Sequence, residues 1–229
     1  MERRKVLSVV ILLLAILLII DTASAATPGG ATVGAGGTST GSASTPQTNT
    51  SQGGYITELN ITDATQITSR WQGYYGNVTG GSIVLKDSSN TFYSWSANLA
   101  NSGYVYATTN TGTPAWSSVA AVTTITDLDT ASYWNFLSKS DNISNTYNTT
   151  GSITVAGTTV SNTAKAPTLH SNFNDYVIQD NSASDMSEII WVAAINNDKQ
   201  NFKSGLSDYE LLVPVHATTR TYYFYLEII

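Results

Sequence analysis

Trp71-Gln72-Gly73-Tyr74-Tyr75-Gly76-Asn77-Val78-Thr79-Gly80-Gly81 is the stretch on which the fold turns. It is the densest run of aromatics and glycines in the chain, with a polar Thr/Gly/Ser leader behind it and strand-like runs ahead. Aromatics at 71, 74 and 75 bring large buried area. Glycines at 73 and 76 admit close backbone approaches. Gly80-Gly81 reads as a tight turn into Ser82-Ile83-Val84-Leu85. The stretch therefore opens a β-domain as a core strand with a bulge, and a surface aromatic platform for a sugar is the competing reading.

Downstream the hydrophobic period is two. Strands are expected at Tyr55–Ile61, Ile67–Tyr75, Ser82–Lys86, Thr91–Ser96, Tyr104–Thr109 and Val119–Ile125, with Asp87-Ser88-Ser89-Asn90 closing a hairpin between the third and fourth. Thr126-Asp127-Leu128-Asp129 resembles a helix start, and Thr130–Ser138 would set Tyr133, Trp134 and Leu137 on one side. A second short helical turn is expected near Asp141–Tyr147, before strands resume at Ser152–Ala156, Thr158–Asn162 and Tyr176–Gln179. Glu188–Ile195 is apolar on both faces and should be a central strand. Tyr209–Ala217 and Thr221–Ile228 flank Thr218-Thr219-Arg220 and are expected to form a hairpin, with Pro214 marking a bulge or an edge. Both faces of the last strand are bulky, so it should be interior, with Glu188–Ile195 or the segment after Trp71 on its other side. About a dozen short antiparallel strands with one small helical excursion spell an all-β chain, a β-sandwich.

Upstream, Glu2-Arg3-Arg4-Lys5 precedes an apolar run from Val6 to Ile20, and Ala23-Ser24-Ala25 follows with small residues at the positions a signal peptidase reads. Residues 1–25 are thus a Sec-type signal peptide or an N-terminal hydrophobic helix that anchors the chain. Residues 26–54 are uncharged Thr, Gly, Ser and Ala with two prolines. That composition buries too little apolar surface to fold, and predicts a disordered stalk open to O-glycosylation. Residues 55–229 form the β-domain. No C-terminal hydrophobic tail follows it, so membrane attachment is expected only through the N-terminal segment.

Charged residues make up 11% of the chain and the formal net charge is −6. The few Lys and Arg of the domain are scattered singly, which argues against nucleic acid as a partner. The absence of cysteine excludes a disulfide scaffold, a Cys-ligated metal, a thiol nucleophile and a Cys-linked lipid anchor. No metalloprotease, nucleophile-elbow, P-loop or dinucleotide motif is present. His170 and His216 have no partner nearby in sequence and read as structural. The acid pairs Asp127/Asp129, Asp175/Asp180 and Asp185/Glu188 would suit a glycosidase, yet capping and turn roles account for them equally well. Calcium is the one metal the oxygen-rich loops Asp127–Asp129 and Asp180–Asp185 would take, as a structural ion; no catalytic cofactor is expected. Asn49, Asn60, Asn77, Asn142 and Asn148 each open an Asn-x-Ser/Thr sequon, and export would give them access to glycosylation. Of the five tryptophans, Trp116 follows a Thr-Pro-Ala loop and is the best exposed candidate for a ligand platform.

The segment WQGYYGNVTGGSIVL, the closing TYYFYLEI and the preceding Tyr209–Val215 resemble a group of archaeal secreted cell-surface β-domain proteins. The likeness covers the two ends of the domain, 70–95 and 189–229. It implies an exported, β-rich surface protein and carries no catalytic residue over. The expected function is structural or adhesive, in a stalked surface domain or filament subunit, with the envelope or like subunits as partners. A carbohydrate-binding domain is the alternative, and a secreted hydrolase the third reading.

Overall fold

The computed structural model describes residues 27–34, 36–46, 48, 50, 52–56, 58–59, 65–96, 103–181, 188–215 and 219–229. The hydrophobic segment 1–25, Asn49, Asn60, Asp185 and His216 lie outside the described residues, as does part of the expected strand Tyr55–Ile61. Among the described residues the chain is antiparallel β with two short helices.

The centre is β10 (Ile189–Ala194), as its two-faced apolar run requires. It lies between β5 (Gly103–Thr108), with Trp191 opposite Ala107, and β9 (Asp175–Asp180), with Trp191 opposite Val177. Beyond β5 comes the last strand, β14 (Tyr223–Ile228), and then β1 (Gly29–Gly30). Beyond β9 come β8 (Thr158–Lys165) and β7 (Thr149–Val155), while β6 (Val119–Ala121) pairs with the C-terminal half of β9. Where β6 and β8 fork from β9, the Thr163 hydroxyl accepts from Val122 N–H and donates to the Val177 carbonyl. The side chain thus replaces ladder bonds that neither strand makes.

Both faces of this eight-stranded sheet are covered. On one, Val105, Ala107, Val177, Trp191 and Ala193 meet a ribbon of β2 (Trp71–Gly76) and β13 (Tyr209–Pro214), together with Trp134, Phe136, Ile143 and Tyr147. On the other, Tyr106, Ile178, Ile190, Val192 and Tyr225 pack with Ile153, Val155 and Val160 of β7 and β8, and with Trp116. The sheet curls far enough for the β7–β8 tip to reach the opposite end: Ala156 N–H donates to Glu227 Oε1 on β14 at 2.8 Å. The other oxygen of Glu227 accepts from the Tyr106 hydroxyl.

Several expectations need correction. β13 and β14 do not form a hairpin. β13 pairs with β2 and β14 with β5, so the neighbour expected from Glu188–Ile195 is replaced by β5, which itself lies beside β10. Pro214 stands at the last position of the ribbon, opposite Trp71, where a missing donor disturbs no further pairing. Among the described residues, only the two-residue β1 lies outside β14, within the segment expected to be a stalk. Two glycines pair along an edge through backbone alone, which a composition argument about apolar burial does not register. The helix at Thr126 ends at Thr130; the chain then turns, burying Trp134 and exposing Leu137. The second helix, Ile143–Thr146, is where expected, with Asn142 Oδ1 accepting from Asn145 N–H at its start.

Candidate functional site

Of the acids that sequence offered for chemistry, Asp129, Asp175 and Asp180 are bound to the backbone. Asp129 Oδ1 accepts from Ile143 N–H at 2.7 Å and joins the two helices. Asp180 Oδ2 accepts from Ala115 N–H. Asp208, which the sequence did not single out, accepts from Val78 and Asp198 N–H and ties the ribbon to the 196–208 segment, where the two-residue strands β11 (Lys199–Gln200) and β12 (Leu206–Ser207) pair. Asp175 is fully buried; its Oδ2 accepts from Leu212 N–H at 2.8 Å, and among the described residues nothing donates to its Oδ1. Desolvation holds its carboxyl well above the usual range, and nearby Glu210 pushes the same way against the Leu212 bond. The buried Glu227 is likewise raised by desolvation, in part offset by its bonds from Tyr106 and Ala156. Asp127 is exposed at the helix start. No group of three possible metal ligands occurs among the described residues, which leave out 182–187 of the second acidic loop.

His170 has a partner that its sequence neighbourhood hides: its Nδ1 lies 2.5 Å from Glu210 Oε2, forty positions on, while Glu210 Oε1 accepts from Phe202 N–H. The histidine is half-exposed beside Phe202, which meets Tyr75 edge-on at 4.9 Å under the Lys203 ammonium. Of the opening aromatics, Trp71 and Tyr74 face the core and Tyr75 reaches the surface here. Trp116, expected to be exposed, is only 4% accessible: it is wedged between Tyr106 and Tyr225, with ring centroids 4.9 and 5.3 Å away. The loop bends it inward to cover the second face of the sheet. Asn77 and Asn148 are exposed, and Asn142 is half-buried as a cap.

The feature that the fold leaves unused is the hairpin of β3 (Ser82–Lys86) and β4 (Thr91–Ser96). Gly80 and Gly81 at φ +75° and +146° start it, a region closed to most side chains, and Gly81 sits against Ile228. Asp87 Oδ1 accepts from Ser89 and Asn90 N–H to close the turn. Neither strand pairs with a third, and no other element packs on them beyond marginal touches among the described residues. The register sets Ile83 opposite Trp95 and Leu85 opposite Tyr93, so these four share one face; Ser82, Val84 and Ser94 share the other. That apolar face is open: Ile83 is 41%, Leu85 53%, Tyr93 56% and Trp95 49% exposed. Phe92, in the bulge where the register slips, is 83% exposed. The alternation was legible in the sequence; that none of the described residues covers it was not.

No protein-family model matches the chain, and no curated protein or solved structure is similar to it at a significant level.

Proposed function

We propose that this chain is an exported, glycosylated protein of the archaeal cell envelope with a structural or adhesive role. The observation that carries the reading is the open apolar face of the β3–β4 hairpin. A contiguous uncovered patch of this kind marks an interaction surface in a soluble domain. The leader, with its basic start and apolar run, supplies export or anchoring. Asn77, Asn142 and Asn148 carry the glycans; at Asn142 the amide oxygen serves the helix cap and the amide nitrogen takes the sugar. The β2–β13 ribbon acts as the second layer of a β-sandwich whose first layer is the large sheet. Calcium is not required by this reading.

Expressed in an archaeal host with its own leader, the chain is expected in the envelope or medium, cleaved by protease added to intact cells, with a mass above that of the polypeptide. An unmodified chain confined to the cytoplasm would contradict the reading. A carbohydrate-binding role is favoured by one observation only, the exposed Tyr75–Phe202 pair beside His170. Retention on immobilised polysaccharide that is lost in Tyr75→Ala would support it.

A further inference from the structure

The hairpin face admits three kinds of occupant, and its chemistry separates them. Sugars stack on open ring faces and take hydrogen bonds from polar groups beside them. Here the Tyr93 and Trp95 rings are inclined at 57°, and their neighbours on the face are Ile83 and Leu85, which offer no hydrogen bond. Elements that lie in a membrane surface carry Lys and Arg around the apolar side. This hairpin has one cation, Lys86, set beside Asp87, on a chain of net charge −6 that an anionic leaflet repels. The third occupant is protein.

A second copy of the same hairpin meets every requirement. The face holds no charge, so two acidic chains can close on it without burying like charges. Side chains of this size at 41–56% exposure leave on the order of 450 Å² open on the four-residue face. Apposing two such faces removes up to about 900 Å², the size of a weak, transient interface. A lone two-stranded hairpin is also marginal in water, and a second hairpin stacked on it supplies the missing layer.

We propose that two copies of this chain associate through their β3–β4 hairpins, apolar face to apolar face about a two-fold axis. The inference rests on the structural reading above for its meaning at the cell surface, but its test is made on purified protein and does not depend on where the protein lives. The contact is weak as a single pair and becomes strong where an array presents many copies.

The chain, recovered as its host processes it, is followed by sedimentation velocity from about 1 to 200 µM, the range of weak interfaces. Wild type is expected to move from monomer to dimer across this range. Leu85→Glu/Tyr93→Glu is expected to weaken dimerisation at least about thirtyfold, as loss of a central anchor does. Ser82→Glu/Ser94→Glu places the same charge on the opposite face and should leave dimerisation intact, which separates loss of the contact from loss of the hairpin. A wild type that stays monomeric at 200 µM would overturn the proposal, as would dimers that both glutamate variants retain equally. Binding of monomers to anionic vesicles through Tyr93 would overturn it in favour of a lipid partner. Failure to reach the cell surface would leave this result untouched and would sink only the envelope reading.

Discussion

Replacing Trp191 probes the centre of the fold. The indole is fully buried in β10 and meets Trp134 edge-on at 5.6 Å, Trp71 edge-on at 6.3 Å and Tyr147 at 5.3 Å. It therefore joins the sheet to both the ribbon and the helical excursion. Truncation to alanine empties a large core site, which costs about 3–5 kcal/mol. Losing three ring contacts worth ~0.5–1.5 kcal/mol each pushes toward the upper end of that range. One effect opposes it: among the described residues Trp191 Nε1 has no acceptor, and removing a buried unpaired donor returns about 1 kcal/mol. Trp191→Ala should thus destabilise by ~4 kcal/mol, a large share of the 5–15 kcal/mol typical of a domain. Trp191→Phe keeps most of the contacts and drops the orphan N–H, so it should cost only about 1–2 kcal/mol. Urea unfolding followed by far-UV circular dichroism measures both, and if the alanine variant does not fold, Trp191→Leu takes its place. A loss below about 1 kcal/mol for alanine would show that β10 is not the centre. Equal losses for alanine and phenylalanine would mean that the indole N–H makes an essential bond.

Glu227→Ala strips the acceptor from Ala156 N–H and from the Tyr106 hydroxyl and should cost about 2–3 kcal/mol in urea unfolding, since buried donors left unpaired lose ~1–3 kcal/mol each. Glu227→Gln keeps an acceptor oxygen and should cost less. Asp175 holds its proton in the folded chain to a pH well above the ordinary carboxylate range. The folded state then binds more protons than the unfolded one, so stability is full below the ordinary Asp value of about 3.9 and falls as pH rises toward the folded value. Asp175→Asn should flatten that decline in urea midpoints measured from acid to neutral pH; an unchanged slope would show that Asp175 is ionised in place. Asp129→Ala should cost about 1–2 kcal/mol in thermal or urea unfolding, because it leaves the Ile143 and Ser144 N–H groups without their carboxylate.

Local pattern carried part of this fold. The alternation of Tyr222 to Ile228 sorts residues correctly, with Phe224 and Leu226 on one core and Tyr225 on the other. The apolar run at 189–194 is central because no polar residue marks a solvent face. The Ser82–Ser96 hairpin follows from its turn residues. Pairing between distant segments was not legible. A short turn favours a hairpin locally, yet β13 gains more by placing Leu211 and Val213 over Trp191 beside β2 than by staying next to β14. His170 and Glu210 meet only because that ribbon lies over the sheet. Trp116 looked exposed because Pro and Thr precede it; its burial depends on Tyr106 of β5 and Tyr225 of β14, distant in sequence. Gly29 and Gly30 carry no side-chain signal for a strand.

The central claim is that a well-packed β-domain carries one hairpin whose apolar face none of its described residues covers. Amide hydrogen exchange on dilute, monomeric protein tests it most directly. Strands β5, β9 and β10 should open only with global unfolding, while the amides of 82–96 should exchange at least about a hundredfold faster through local opening. Protection across 82–96 equal to that of 189–194 in the monomer would contradict the account, because the apolar face would then already be covered from within.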